Sequence, residues 1–263
     1  MQRKDISLFK PISEEPRGFT KKYWISDEIN KLVKYNNDFY KDQDVMEKLA
    51  SVILNCLDIN VVKVELGKSL IGNCCLIDTF LNDDEVLYEV DGFWAIVESN
   101  NVNADIATSF SKVFYKFSKL YNVKKDELEN IKKDYIRLIL GDCLIGNEDR
   151  KLKNVALIFN ERTKVYRLAP SFDNALAFHA YNLLDKEAVA YIGNQYFNVT
   201  DVMKYLYDNY LDIVEPIMDK VDNFVDNTLV NLLSGLEIDQ AKKEYIINYM
   251  ENIKRRKYEN KRY

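Results

Sequence analysis

Glycine and proline are scarce: the chain has 263 residues, of which eight are glycine and four proline. So few chain breakers leave little room for flexible linkers, and most of the chain is expected in regular helices and strands. No internal repeat or low-complexity tract is present. No apolar run approaches the length of a membrane span, and Met1-Gln2-Arg3-Lys4-Asp5 does not open a signal peptide. The four cysteines are Cys56, Cys74, Cys75 and Cys143, and no pair has zinc-ligand spacing. Reduced thiols in a cytoplasmic protein are therefore expected. The single histidine, His179, has no partner at metal-ligand spacing and is read as an ordinary packed or surface side chain. Positive charge is not in excess. The net charge of -5 argues against general nucleic-acid binding and against binding an anionic membrane.

What is present is a globular composition, 47% hydrophobic and 30% charged. The length suits one large domain or two small lobes with a sizeable core. Residues 6–11 read as a short strand ended by Pro11. Residues 14–41 read as a polar, aromatic-rich insertion with a short helix over 26–35. A helix is expected over 44–57, with Val45, Met46, Leu49, Ala50, Ile53, Cys56 and Leu57 on one stripe. Asp44 and Glu47 have the spacing of a capping box at its start. Strands follow over 61–66 and 74–77. After residue 84 the pattern turns helical, with Ile106, Phe110, Val113, Phe114 and Phe117 on one face and Ile131, Tyr135, Leu138, Ile139 and Cys143 on another. From residue 191 onward the chain reads as amphipathic helices. The last ends in Lys254-Arg255-Arg256-Lys257, a basic turn that suits a helix C-terminus.

The chemistry is concentrated in one stretch. Asp149, Lys153 and Asn154 fall within six residues, and Asp173 returns after a hairpin expected over 155–168. Phosphoryl transfer from a magnesium nucleotide needs such a set. One carboxylate orients the attacking hydroxyl, one cation neutralises the migrating group, and an amide with a second carboxylate holds the metal. In this reading Asp149 is the catalytic base, Lys153 sits beside it, and Asn154 and Asp173 are the magnesium ligands. Arg150 is read either as a phosphate contact or as a salt bridge inside the lobe.

Leu144-Ile145-Gly146-Asn147-Glu148-Asp149-Arg150-Lys151-Leu152-Lys153-Asn154, followed by Leu168-Ala169-Pro170-Ser171-Phe172-Asp173, resembles the HipA-like serine/threonine kinases. Their pattern is roughly Leu-Ile-Gly-Asn-x-Asp-x-His-x-Lys-Asn, then Leu-x-Pro-x-Tyr/Phe-Asp. Lys151 stands where that pattern has histidine. The resemblance implies an α+β, two-lobed protein-kinase-like fold. A small β-rich N-lobe would cover residues 1–81, and a larger helical C-lobe 82–263. It implies ATP and magnesium as cofactors, a protein substrate, and membership of a family that includes toxins of toxin–antitoxin pairs. By the same resemblance, Lys10 is the strand lysine that meets the nucleotide phosphates, and Glu47 is either its helix partner or a cap. Asp78 and Phe80 are candidate nucleotide contacts at the hinge. Only nine residues precede Lys10, too few for a glycine-rich loop over the phosphates. That cover is expected from residues 14–41 or from another chain, such as a small antitoxin or a partner resembling the missing N-terminal subdomain. Two other readings stay open: a small-molecule or lipid kinase using the same loop, and a nucleotide-binding, pseudokinase-like module.

Overall fold

The computed structural model describes residues 1–14, 21–38, 40–90, 104–119, 123–179, 188–193 and 195–260. Six strands come first: β1 (Lys4–Asp5), β2 (Ser13–Glu14), β3 (Lys22–Asp27), β4 (Ile29–Tyr35), β5 (Val64–Lys68) and β6 (Asn73–Asp78). They form one sheet in the order β1-β5-β6-β4-β3-β2, antiparallel except for the β1–β5 pair. Helix α1 (Gln43–Cys56) packs against β4, β5 and β6.

The two faces of this sheet differ, and that difference positions the site. Side chains alternate along a strand. Tyr23, Ile25, Val33, Tyr35, Cys74 and Leu76 point to an outer face, where Ile6 and Phe9 cover them. The hydroxyls of Tyr23 and Tyr35 meet there at 2.7 Å. Leu32, Lys34, Val64, Cys75 and Ile77 take the inner face, as the β4–β6 and β5–β6 registers require. Helix α1 lays Met46, Leu49, Ala50 and Ile53 into the core at 0–1% exposure. Each of the large ones contributes about 1.5–3 kcal/mol of burial.

Several expectations from sequence need correction here. Residues 26–35 are not a helix: they complete β3 and form β4, turning at Glu28, whose φ is 30°. The period is two, with Tyr23 and Ile25 set against Val33 and Tyr35. The strand expected over 6–11 is also absent. Only Lys4–Asp5 pairs, and a turn closed by Phe9 N–H to Ile6 carbonyl then folds the chain onto the outer face. Cys56 is exposed rather than part of the α1 stripe.

The second lobe begins with a strand, β7 (Glu85–Glu89), where helix was expected. It pairs with β8 (Ala156–Asn160), which pairs with β9 (Val165–Leu168), so the expected hairpin is there with a third strand added. Around it stand α2 (Ile106–Lys119), α3 (Lys125–Ile145), the hairpin β10 (Val189–Ile192) and β11 (Gln195–Asn198), and helices α4 (Val199–Asn209), α5 (Leu211–Asn227), α6 (Leu229–Ser234) and α7 (Gln240–Asn260). One hydrophobic core runs from α1 through α2–α7. The last turns of α3 are buried all round, from Leu138 to Ile145.

Two of the four basic residues near the end of α7 are spent on α5. Lys257 bonds Asp219 at 2.7 Å and also Asp222, and Lys254 pairs with Asp226. All four cysteines are free thiols. Among the described residues no helix is long and apolar enough to cross a membrane.

Candidate active site

The site starts with Lys34, near the end of β4 on the inner face. Its ammonium lies 3.5 Å from Glu47 Oε2 and also pairs with Asp173 Oδ1. Glu47 is fully buried on α1 and uses its other oxygen, Oε1, to accept the Asn174 N–H at 2.8 Å. One lysine and one glutamate thus join the sheet, the helix and the segment around Asp173. Burial works against the charge on Lys34, but Asp173 and Glu47 outweigh it and hold its pKa above that of an ordinary lysine. Burial pushes the Glu47 carboxyl up, and Lys34 only moderates the effect. Asp173 is also desolvated, yet Lys34, and then Lys22 and Arg150, bring it below its usual value.

Lys34 corrects the choice of Lys10. The segment carrying Lys10 follows Ile6 and Phe9 over the outer face, away from the inner face that holds Lys34. Lys10 is exposed and makes no ion pair among the described residues. The capping-box reading also falls. The N-cap of α1 is Asp42, without a side-chain cap bond, and Asp44 is engaged by Arg3 and by Asn36 Nδ2, the latter at 2.7 Å. Glu47 pairs with a strand lysine, as the family resemblance implied, but with a different one. Once the lysine is Lys34, the antiparallel strands β2 and β3 precede it. Of the residues joining the two strands, 15–20 lie outside those described.

The loop after α3 is shaped by two features. Gly146 caps the helix at φ 56°, a left-handed conformation natural to glycine that other side chains rarely adopt. Arg150, fully buried, then acts as a hub. Its Nε and Nη2 each donate to Asp142 at 2.9 Å, its Nη1 donates to the carbonyls of Asn154 (3.0 Å) and Phe172 (2.8 Å), and Nη2 also donates to Ser171 Oγ and Asn174 Oδ1. Of its two sequence readings, the internal salt bridge is therefore the one observed. This guanidinium ties residues 149–154 to residues 171–174, because its own neighbour is Asp149 and its acceptor Phe172 precedes Asp173. Asp173 itself sits at φ 57°. That conformation costs most side chains about 1–2 kcal/mol, and aspartate adopts it more readily than most.

Asp149 is partly buried and held from two sides. Lys151 Nζ lies 2.9 Å from its Oδ1, and Asn154 Nδ2 donates to its carbonyl at 2.8 Å, with Oδ2 at 3.4 Å. The lysine beside Asp149 is thus Lys151, not Lys153. Lys153 lies exposed on the single 3-10 turn Leu152–Asn154. The turn explains the difference, since residues two apart along it face different ways.

The donors present fit a magnesium nucleotide. Asn154 spends its amide N–H on Asp149, which leaves Oδ1 without a partner among the described residues, and Asp173 keeps Oδ2 beside Lys34. Among the described residues there is no cluster of three or more His, Cys, Asp or Glu. An all-protein metal cage is therefore not offered there, whereas magnesium bound with substrate phosphates asks for only one or two protein carboxylates.

Phe80 and Phe172 stack at 6.0 Å between the lobes. Above them lie Leu32, Val62, Val64, Cys75 and Ile77, and below them Ala156, Ile158 and Ala169. These packed apolar side chains form the surface that a nucleobase would meet. Asp78 does not turn its side chain towards it. Its carboxylate faces the outer side of the sheet, 2.8 Å from Lys31 and 3.5 Å from Lys63. Sequence reasoning missed Lys34 because the stretch around it was taken for a helix. The alternation of Val33 and Tyr35 with Leu32 and Lys34 was the signal that could have found it.

Among solved structures, the chain aligns with a Helicobacter pylori proinflammatory kinase, CtkA, over 97% of its own length and 95% of that chain, with a TM-score of 0.72 and 16% identity. The fold is that of the HipA-like kinases. HipA of Shewanella oneidensis MR-1, solved in complex with HipB and operator DNA, aligns over 95% of this chain and 66% of its own, with a TM-score of 0.62 and 13% identity. No sequence-family model and no curated protein sequence matches the chain. At these identities the likeness is one of fold, and the site must be argued from its own residues.

Proposed function

We propose that the chain is an ATP-dependent phosphotransferase that passes the γ-phosphoryl group to a serine or threonine hydroxyl of a protein. The observation that carries this reading is Lys34, which touches a buried helix carboxylate and Asp173 together, next to a loop presenting Asp149 and Asn154. A purely structural ion pair would not need a desolvated lysine shared by two carboxylates beside an open amide oxygen. Magnesium-bound ATP would supply the phosphoryl group and much of the charge neutralisation.

The protein's part is positioning and electrostatics. Glu47 aims Lys34 at the phosphates. Asp173 and the Oδ1 of Asn154 would hold the metal. Asp149 accepts a hydrogen bond from the acceptor hydroxyl and takes its proton as the oxygen attacks. Lys151 fixes the carboxylate that does this. Phe80 and Phe172 would bury the base. The family resemblance adds a biological setting, a toxin with a small antitoxin partner, and that setting belongs to the proposal alone.

The test has two steps. The melting temperature is compared with and without magnesium-ATP, and the protein is then incubated with γ-labelled ATP and candidate proteins and the products mapped by mass spectrometry. A shift, followed by label on serine or threonine, is expected. No shift would refute nucleotide binding. Label appearing only on added metabolites would move the acceptor to small molecules.

A further inference from the structure

Strands β3 and β4 place Lys22 directly opposite Lys34. Directly paired residues of neighbouring antiparallel strands carry their side chains on the same face. Lys34 turns inward to Glu47 and Asp173, so Lys22 leaves its strand on the inner side too. The alternation along β3 gives the same answer, because Tyr23 and Ile25 belong to the outer-face cluster. The inner face of the hairpin is then graded. Trp24 pairs with Leu32, which packs on the apolar cluster with Phe80 and Phe172, and Lys22 pairs with Lys34, which meets Asp173.

Like charges directly opposite each other weaken a strand pair. Lys34 has two carboxylates to offset its charge. Lys22 is half-buried and has neither an ion pair nor a side-chain hydrogen bond among the described residues. A second ammonium at this position has no direct partner among the described residues, whereas a polyanion lying along the face would supply one.

We propose that Lys22 binds the phosphate chain of the nucleotide alongside Lys34, so that two neighbouring strands present a pair of ammonium groups to it. This rests on the phosphotransferase reading, which supplies the ligand. An ammonium is a compact point charge with three donors, and two of them can share a triphosphate without the fixed bidentate geometry arginine needs.

The test measures affinity for magnesium-ATP, magnesium-ADP and adenosine in the wild type, Lys22→Met and Lys22→Arg, together with each protein's melting temperature without ligand. Lys22→Met should bind ATP about tenfold more weakly, the size of one charged hydrogen bond. It should bind adenosine as the wild type does and melt no lower, since a like-charge contact has been removed. Lys22→Arg should recover most of the ATP affinity, and the deficit of Lys22→Met should shrink at high salt. Wild-type ATP affinity in Lys22→Met overturns the proposal and leaves the phosphotransferase reading standing. An equal loss for adenosine also overturns it, because it marks a structural effect. A wild type that binds none of the three ends both.

Discussion

Lys34 and Asp173 form an ion pair across 139 residues of chain. It fastens the inner face of the sheet to the segment that leaves the β8–β9 hairpin. In the proposed function Asp173 is also a metal ligand, so the same lysine would hold that carboxylate in place and meet the phosphates beside it. Lys34→Met should cost at least about tenfold in ATP affinity, while Lys10→Met should leave it unchanged. Titration calorimetry on the two variants decides between the lysines.

Asp149→Asn keeps the shape of the side chain and removes its capacity to accept a proton. Phosphoryl transfer should fall by roughly 10²–10⁴-fold, with nucleotide affinity nearly unchanged. Wild-type turnover in this variant would remove Asp149 from the chemistry.

The two lysines of the loop should separate in the same assay. Lys151 touches Asp149 at 2.9 Å and Lys153 is exposed on the turn. Lys151→Met is expected to lower kcat by about tenfold or more, and Lys153→Met by less. The reverse order would restore Lys153 to the place beside Asp149.

Arg150 and Asp142 are buried at 0% and 1% side-chain exposure. Removing one partner strands the other charge, so Arg150→Met should destabilise the protein by about 3–5 kcal/mol. Arg150→Met with Asp142→Leu should cost less than the sum of the two single changes. Denaturant unfolding of the three variants measures the coupling.

Glu47 gives a pH signature. Its carboxyl pKa is raised by burial, so the native state holds its proton more tightly than the unfolded chain does. Its favourable share of stability is therefore full below the unfolded value near 4.5 and is lost as pH rises through the folded value. Glu47→Gln removes this titration and can still accept the Asn174 N–H. It should gain stability relative to the wild type as pH rises from 4 to 7, yet lose transfer activity because Lys34 is no longer aimed. Asp173 has the opposite sign. Its lowered pKa stabilises above the unfolded value and is lost as pH falls through the folded one. Melting curves of wild type and Glu47→Gln from pH 4 to 7 test the first sign, and wild type against Asp173→Asn below pH 4 tests the second.

The candidate loop could be read from the sequence because its residues are local. Asp149, Lys153 and Asn154 are close along the chain, and a two-strand hairpin needs only its own alternation to return Asp173, whereas the place of Lys151 beside Asp149 was not legible. Helix α1 was legible for the same reason, since its stripe repeats within its own length. The lysine was not. Lys10 and Lys34 both stand in short stretches of mixed polarity, and nothing local says which face of which strand each will occupy. That depended on Ile6 and Phe9 covering the outer face and on β4 pairing with β6, contacts between segments tens of residues apart. The sequence by itself offered Asp149, Asn154 and Asp173 as candidate groups, and it laid out helix α1 and the β8–β9 hairpin. Only the tertiary structure decided which cation meets Glu47 and Asp173, because a strand's side chains are assigned to a face by its neighbours in the sheet and not by its neighbours in the chain.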